Sequence, residues 1–164
     1  MAIRITPLEI VHAVQNFDCS SPELNEFLKA TAGQHQKKLI SKSYVLTNDD
    51  TPTEVMGFYT IAIRRMIFKT DLPPDMAKRL PREVPGFTLA RLAVRQDLHG
   101  QGFGEYLLIH ALERTARVAR EIGGFALFVD AKDEKAAMFY KKYGFRSLPD
   151  NPLILCMPFA DMPH

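Results

Sequence analysis

The sequence predicts an α/β (α+β) domain built on a mixed β-sheet, and two observations carry this prediction. An apolar run at 87–94 leads through a glycine-rich turn to a long amphipathic run at 105–122, and a second apolar run follows at 125–130. Strand, crossover helix and strand in that order form a parallel pair with a right-handed connection. Strand-like runs joined by a short turn at 48–52 indicate an antiparallel hairpin, so one sheet contains both kinds of pairing.

The N-terminal half begins with a predicted strand at 3–6 and a weak helix at 7–14. Two serines precede Pro22, an order typical of an N-cap followed by the first turn of a helix. Apolar residues then recur at helical spacing and define one buried face. The residues of this face are Leu24, Phe27, Leu28 and Ala32.

The middle of the chain predicts a hairpin with strands at 43–47 and 55–68, joined by a polar turn that contains Pro52. Residues 70–85 are rich in proline, which favours a loop with at most a short helix at 75–79.

The C-terminal half is more regular. A strand at 87–94 and a helix at 102–122 flank the glycine-rich turn, and the pair Gly123 and Gly124 ends the helix. The remaining predicted elements are a strand at 125–130, a helix at 134–142, a short strand near Phe145 and a strand at 153–157.

Length and composition limit the classes of protein to consider. The 164 residues suffice for one domain, 1–164, with a real core. No apolar run approaches the roughly 20 residues of a membrane helix, and the N-terminus lacks a signal-peptide core. Two cysteines without zinc-like spacing favour a cytoplasmic protein with reduced thiols and no metal. The net charge of +2 permits an anionic partner without requiring one.

The turn at 99–104 (HGQGFG) is the strongest functional signal. Glycines at alternate positions let several N–H groups converge at the positive end of a helix dipole, where phosphate or pyrophosphate binds. The spacing differs from a dinucleotide fingerprint, whose third glycine comes one residue later, and the Gly-Lys-Ser/Thr of a P-loop is absent. Considered alone, the turn is equally compatible with a glycine-rich connection that binds nothing.

Three segments together resemble the GNAT family of N-acetyltransferases: 89–94 (LARLAV), 100–104 (GQGFG) and 136–145 (AAMFYKKYGF). The resemblance follows the element order of the whole chain. It implies the acyl-CoA N-acyltransferase fold, with a mixed central sheet of about six to seven strands and helices on both faces. It also implies acetyl-CoA as the acetyl donor.

The resemblance also implies site residues. The glycine turn would bind the pyrophosphate of acetyl-CoA, the strand before it would bind the pantetheine arm, and Tyr140 would protonate the departing thiolate. Tyr143 is the competing acid, although its position matches an apolar place in the family pattern. Asp133 is expected either near the cofactor thioester or as a helix N-cap, and the N-cap is preferred. The predicted cofactor-binding residues are Leu92, Val94, His99, Gly100, Gln101, Gly102, Phe103, Gly104 and Asp133. His99 stands where the family usually has Arg or Gln.

Segments 17–19 (FDC), 24–28 (LNEFL) and 57–60 (GFYT) look like the acetyltransferase toxins of bacterial toxin–antitoxin pairs. This narrower resemblance implies acetylation of the α-amino group of aminoacyl-tRNA, a block of translation, and a ribbon-helix-helix antitoxin as partner. The resemblance does not decide whether the protein forms a homodimer.

Alternatives to this reading are an N-acetyltransferase of a small amine or protein amino group, and a module that binds only coenzyme A or a partner. Basic residues near the predicted substrate strand are the candidates for tRNA phosphates: Arg64, Arg65 and Arg91. The general base is unassigned, with Glu9, Glu23 and Glu26 as open candidates.

Overall fold

The computed structural model describes residues 2–162 and contains a seven-stranded sheet in the order β1-β2-β3-β4-β5-β7-β6. The strands are β1 (Ile3–Pro7), β2 (Lys42–Asn48), β3 (Gly57–Phe68), β4 (Glu83–Val94), β5 (Ala126–Asp130), β6 (Arg146–Leu148) and β7 (Asn151–Pro158). The pair β4 and β5 is parallel, whereas β1 with β2, β2 with β3, β5 with β7 and β6 with β7 are antiparallel. The predicted mixed sheet is therefore confirmed.

The α-helices are α1 (Pro22–Glu26), α2 (Ala32–Lys37), α3 (Pro74–Ala77), α4 (Phe103–Ile122) and α5 (Glu134–Lys142). A π-helical segment, Phe27–Thr31, joins α1 to α2, so the predicted second helix is one uninterrupted helical segment. Its N-cap is Ser21, whose Oγ accepts a hydrogen bond from the Leu24 amide at 3.4 Å. The helix predicted at 134–142 matches α5 residue for residue.

The chain divides into two compact units, and each has its own packing. The first comprises Met1–Ala62 and Ala90–Ala111. In this unit the helical segment after Ser21 packs on one face of β2 and β3, where Phe27 stacks on Phe58 at 6.4 Å between ring centroids. Tyr59 points to the opposite face, and its hydroxyl lies 2.7 Å from Nδ1 of His110 on α4. Alternation along the strands thus places helices on both faces of the sheet in this unit.

The second unit comprises Ile63–Leu89 and Leu112–His164. One of its clusters joins Phe128 of β5 to apolar residues of β4, β6 and β7. Gly86 is required there, because an added Cβ would lie 2.7 Å from the Phe128 ring. Cys156 is buried in the same cluster with its Sγ 3.5 Å from Met76 Sδ, and burial raises the pKa of this thiol to about 11.

The helix predicted at 7–14 is wrong. β1 extends to Pro7, and the Leu8 amide continues the pairing with β2 by donating to the carbonyl of Ser43. Two hydrogen bonds then close a turn, since the Glu9 amide donates to Nδ1 of His12 and the His12 amide donates to the Glu9 carbonyl. Only a 3-10 turn at Val14–Asn16 is helical. Partners distant in sequence therefore override a weak local pattern.

The loop predicted at 70–85 is too long at its C-terminal end. β4 begins at Glu83, four residues before the predicted start, and includes Pro85. Proline lacks an N–H but keeps its carbonyl, which here accepts a hydrogen bond from the Phe125 amide at 2.8 Å. The short helix within this region is α3, which overlaps the predicted 75–79.

Candidate functional site

The glycine turn leads directly into the N-terminus of α4. Gly100 and Gly102 have φ values of +79° and +88°, a region that favours glycine, and a Cβ added to either would meet no atom within 4 Å. The open space lies where the first amides of a 20-residue helix lack intrahelical partners. The turn thus presents unhindered donors and a positive helix end, which fits a phosphate or pyrophosphate group.

His99 connects this turn to the end of β4. Its Nε2 lies 2.7 Å from the main-chain carbonyl of Val94, a contact that requires the tautomer with a proton on Nε2. The segment between Val94 and His99 contains a further contact, an ion pair between Arg95 and Asp97 at 2.7 Å. The hydrogen bond from Arg95 lowers the pKa of the Asp97 carboxyl. The sequence placed His99 among cofactor-binding residues, and the geometry adds a contact to Val94, another of them.

Tyr140 lies on the buried face of α5. Its ring packs edge-on against Phe139 and Phe145, with centroid distances of 5.1 and 5.6 Å. Burial raises the pKa of the phenol to about 12, so the hydroxyl is protonated at neutral pH. Within residues 2–162 no hydrogen bond involves this hydroxyl, so its proton is not engaged by another protein group. Tyr143 is half-buried and contacts the Phe139 ring and the Lys142 ammonium.

Asp133 is the N-cap of α5. Its Oδ1 accepts a hydrogen bond from the Ala136 amide at 2.8 Å, so the structure confirms the preferred assignment. Whether it also contacts a cofactor stays a prediction.

The three predicted phosphate-binding arginines have different surroundings. Arg64 makes a bidentate ion pair with Asp130, with N–O distances of 2.9 and 3.1 Å, and its guanidinium lies 5.1 Å from the Phe128 ring centroid. Arg91 lies over the Phe27 ring at 4.4 Å. Arg65 is exposed, and in the described part of the chain it has no hydrogen bond or ion pair.

Arg64 and Arg65 line one cavity in the second unit, and Arg91 belongs to the first unit. The glycine turn is also part of the first unit, whereas Tyr140 is part of the second. The open candidates for a general base, Glu9, Glu23 and Glu26, are all exposed residues of the first unit.

Sequence reasoning missed Asp130 as the partner of Arg64. The two residues are 66 positions apart, and the only available signal was an aspartate at the C-terminal end of a predicted strand. His110, which the sequence did not single out, packs against both Tyr44 and Tyr59, with ring centroids 5.8 and 5.7 Å away. Among the residues described, no group of three or more His, Cys, Asp or Glu side chains could hold a metal ion. No helix in that same part is long and apolar enough to cross a membrane.

Comparison with known proteins agrees with this geometry. The family model of the acetyltransferase (GNAT) domain matches residues 40–147, and the chain belongs to the GNAT acetyltransferase family. Within this family it is similar to the tRNA-acetylating toxin of Mycobacterium tuberculosis, with 31% identity over 90% of this chain and 87% of the relative. The probable toxin TacT of Sinorhizobium fredii is also 31% identical, over 88% of this chain and 83% of that protein.

Solved structures of related toxins are also similar to this chain in fold. The structure of AtaT complexed with acetyl-methionyl-tRNAfMet has a TM-score of 0.90 and 31% identity, covering 97% of this chain and 96% of that one. AtaTR bound with acetyl-CoA gives a TM-score of 0.81 with 30% identity, covering 96% and 94% of the two chains. The expected fold and family are therefore confirmed.

Proposed function

We propose that this protein transfers the acetyl group of acetyl-CoA to the α-amino group of aminoacyl-tRNA and thereby blocks translation. The observation that carries the proposal is the open glycine turn at the N-terminus of α4, in a chain that resembles tRNA-acetylating toxins over nine-tenths of its length. We take residues 1–164 as one catalytic domain that acts in the cytoplasm, where charged tRNA is found.

The glycine turn and the strand before it would bind the acetyl donor. Amides of the turn at 100–104 would donate to the pyrophosphate, favoured by the positive end of α4. Main-chain groups of Leu92 and Val94 would bind the pantetheine arm, and an N–H on this strand would stabilise the oxygen of the reacting carbonyl. Both residues are half-buried.

The phenol of Tyr140 would supply the proton that the reaction needs. When the amine nitrogen bonds to the thioester carbon, the carbon–sulfur bond breaks and the sulfur needs a proton. The phenol of Tyr140 keeps its proton at neutral pH and has no competing hydrogen bond among the described residues. The amine must lose a proton, and because an α-amino group has a pKa of about 8, which the neighbouring ester lowers, water is a sufficient acceptor.

The acceptor RNA would be held through its phosphates by Arg64, Arg65 and Arg91. Arg65 supports this role most directly, because its guanidinium is exposed and has no partner in the described structure. Arg64 can bind phosphate only in competition with Asp130 or beside it. Such contacts release counterions, so the KM for charged tRNA should rise with salt concentration.

A partner that restrains the activity is part of the proposal. A structure of AtaT bound to the C-terminus of the antitoxin AtaR has a TM-score of 0.81 to this chain and 31% identity. We propose a ribbon-helix-helix antitoxin for this protein as well.

The proposal is tested by expressing the chain in bacteria without an antitoxin. The parent protein should arrest growth, and Tyr140→Phe should restore it, because the lesion is chemical. Tyr143→Phe is the matched control. It removes a phenol hydroxyl three positions further along the chain, and this variant should still arrest growth. Free growth with the parent protein would favour a small amine as acceptor instead. Arrest by Tyr140→Phe at equal protein level would show that the arrest does not depend on the Tyr140 phenol and would contradict a chemical lesion made through it.

A further inference from the structure

The Arg64 side chain is held by three groups on the neighbouring strands β4 and β5. Its Nη1 and Nη2 donate to the two carboxylate oxygens of Asp130 at 2.9 and 3.1 Å. Nη1 also donates to Oγ1 of Thr88 at 3.2 Å, and the guanidinium lies 5.1 Å from the Phe128 ring centroid. Arg64 therefore reaches from β3 across β4 to the end of β5, and its guanidinium has a fixed orientation.

This orientation leaves one edge of the guanidinium without a protein acceptor. A guanidinium carries five N–H donors in one plane. The three hydrogen bonds to Asp130 and Thr88 use both donors of Nη1 and one of Nη2. The other two donors, on Nε and on Nη2, lie side by side, and within residues 2–162 neither has an acceptor. Two adjacent N–H groups of this kind bind a phosphate group bidentately.

The charges around Arg64 do not by themselves attract a phosphate group. Arg64 lines a cavity of about 470 Å³, which leaves room for a ligand beside its 17% exposed side chain. Arg65 also lines this cavity, but so do Asp71, Asp130 and Asp150. Binding of a phosphate at Arg64 therefore depends on how the two remaining donors are aligned, and net charge contributes little.

Asp130 has two opposite effects on such a contact. Its charge repels phosphate, but the carboxylate is 57% exposed, so water and salt screen the repulsion. Its bidentate pairing orders the long Arg64 side chain in advance, so that binding of a phosphate does not have to immobilise it. Screening does not weaken this second effect, so the ordering of Arg64 outweighs the repulsion.

We infer that Asp130 is a positioning residue, which orients Arg64 so that its Nε and Nη2 edge binds a phosphate of the acceptor RNA. The inference rests on the proposed function and deepens it, because Arg64 then binds phosphate beside Asp130 and not in competition with it.

The experiment measures kcat and the apparent KM for acetylation of total bacterial tRNA charged with amino acids. Asp130→Asn keeps the size of the side chain but cannot accept from both Nη1 and Nη2. It should raise the apparent KM about 3- to 10-fold, the order of one lost hydrogen bond, with kcat and coenzyme A affinity unchanged. The rise is expected although the substitution removes a negative charge.

Two matched controls separate positioning from charge and from stability. Asp150→Asn removes the same charge from the same cavity without a contact to Arg64, so the KM should stay equal or fall. Asp75→Asn breaks the other bidentate pair of this unit, which Arg146 forms at 2.8 and 2.9 Å, and should leave the KM unchanged.

A third variant tests the donor edge itself. Arg64→Lys keeps the positive charge but lacks the paired donors, so it should raise the KM at least as much as Asp130→Asn. In this background Asp130→Asn should cause no further rise.

The possible results separate the inference from the proposed function. An unchanged or lower KM in Asp130→Asn would overturn the positioning role and leave aminoacyl-tRNA acetylation intact, and so would a loss confined to kcat. Acetylation of no charged tRNA by the parent protein would overturn the proposed function and the inference with it. If Asp130→Asn does not fold, Thr88→Val, which removes the other hydrogen bond to Nη1, decides by the same rise in KM.

Discussion

Replacement of Gly102 by alanine should weaken acetyl-CoA binding while leaving the protein folded. Gly102 has a φ of +88°, and an L-residue in the left-handed region costs roughly 1–2 kcal/mol. For a protein of this size about 1 kcal/mol corresponds to about 2–4 °C in Tm, so the expected loss is roughly 2–8 °C. The new methyl group meets no protein atom within 4 Å and instead enters the space assigned to the pyrophosphate.

The effect on binding follows from the lost phosphate contact. A hydrogen bond to a charged group contributes about 1.5–3 kcal/mol, so displacing the pyrophosphate from one amide should weaken affinity about 10- to 150-fold. Calorimetric titration of the folded variant with coenzyme A measures this directly.

Gly123 provides a matched control at the other end of α4. Its φ is +94°, and a Cβ added there also meets nothing within 4 Å. Gly123→Ala should therefore lower Tm by a similar amount and leave coenzyme A affinity unchanged. Similar affinities for the two variants, whether both weakened or both like the parent, would refute the assignment of the turn at 100–104.

Three further outcomes are expected. Tyr140→Phe should lower kcat about 10²–10⁴-fold with unchanged coenzyme A affinity, and equal turnover by rapid-mixing kinetics would transfer the acid role to another group. His99→Ala should weaken acetyl-CoA binding about 2- to 10-fold, because it removes the hydrogen bond to the Val94 carbonyl. His99→Gln keeps a side-chain donor and should recover the affinity. Equal affinities of the Gln and Ala variants would show that this hydrogen bond does not affect binding. Arg146 lowers the pKa of Asp75 to about 2, below the ordinary 3.8, so this pair stabilises the fold above pH 4 and the effect disappears as the pH falls towards 2. Thermal melts of Asp75→Asn should lack that part of the acid dependence, and identical profiles for parent and variant would contradict it.

Elements with strong periodicity were predictable from sequence. The helix at 134–142 was correct at both ends because its apolar face, its aspartate N-cap and the following glycine all agree. The strand, crossover helix and strand in the C-terminal half gave the parallel pair for the same reason. The segment after Pro7 was not predictable, since its hydrogen bonds go to residues such as Ser43 and Thr53, which lie 35 or more positions away.

The candidate site was predictable only where one continuous segment forms it. The glycine turn is such a segment, and its positive φ angles match the residues that the sequence offers. The pairing of Arg64 with Asp130 and the tether from His99 to Val94 depend on side-chain placement in the folded chain. The cavity lined by Arg64 and Arg65 depends on the order of strands in the sheet, which no local pattern specifies.

The most direct test is transfer of labelled acetyl groups from acetyl-CoA to purified charged tRNA. After mild alkaline hydrolysis of the ester, the label should be recovered as an N-acetyl amino acid, and uncharged tRNA should take up none. Tyr140→Phe should slow this transfer while Tyr143→Phe should not. Label on uncharged tRNA, or on small amines alone, would contradict acetylation of the aminoacyl α-amino group.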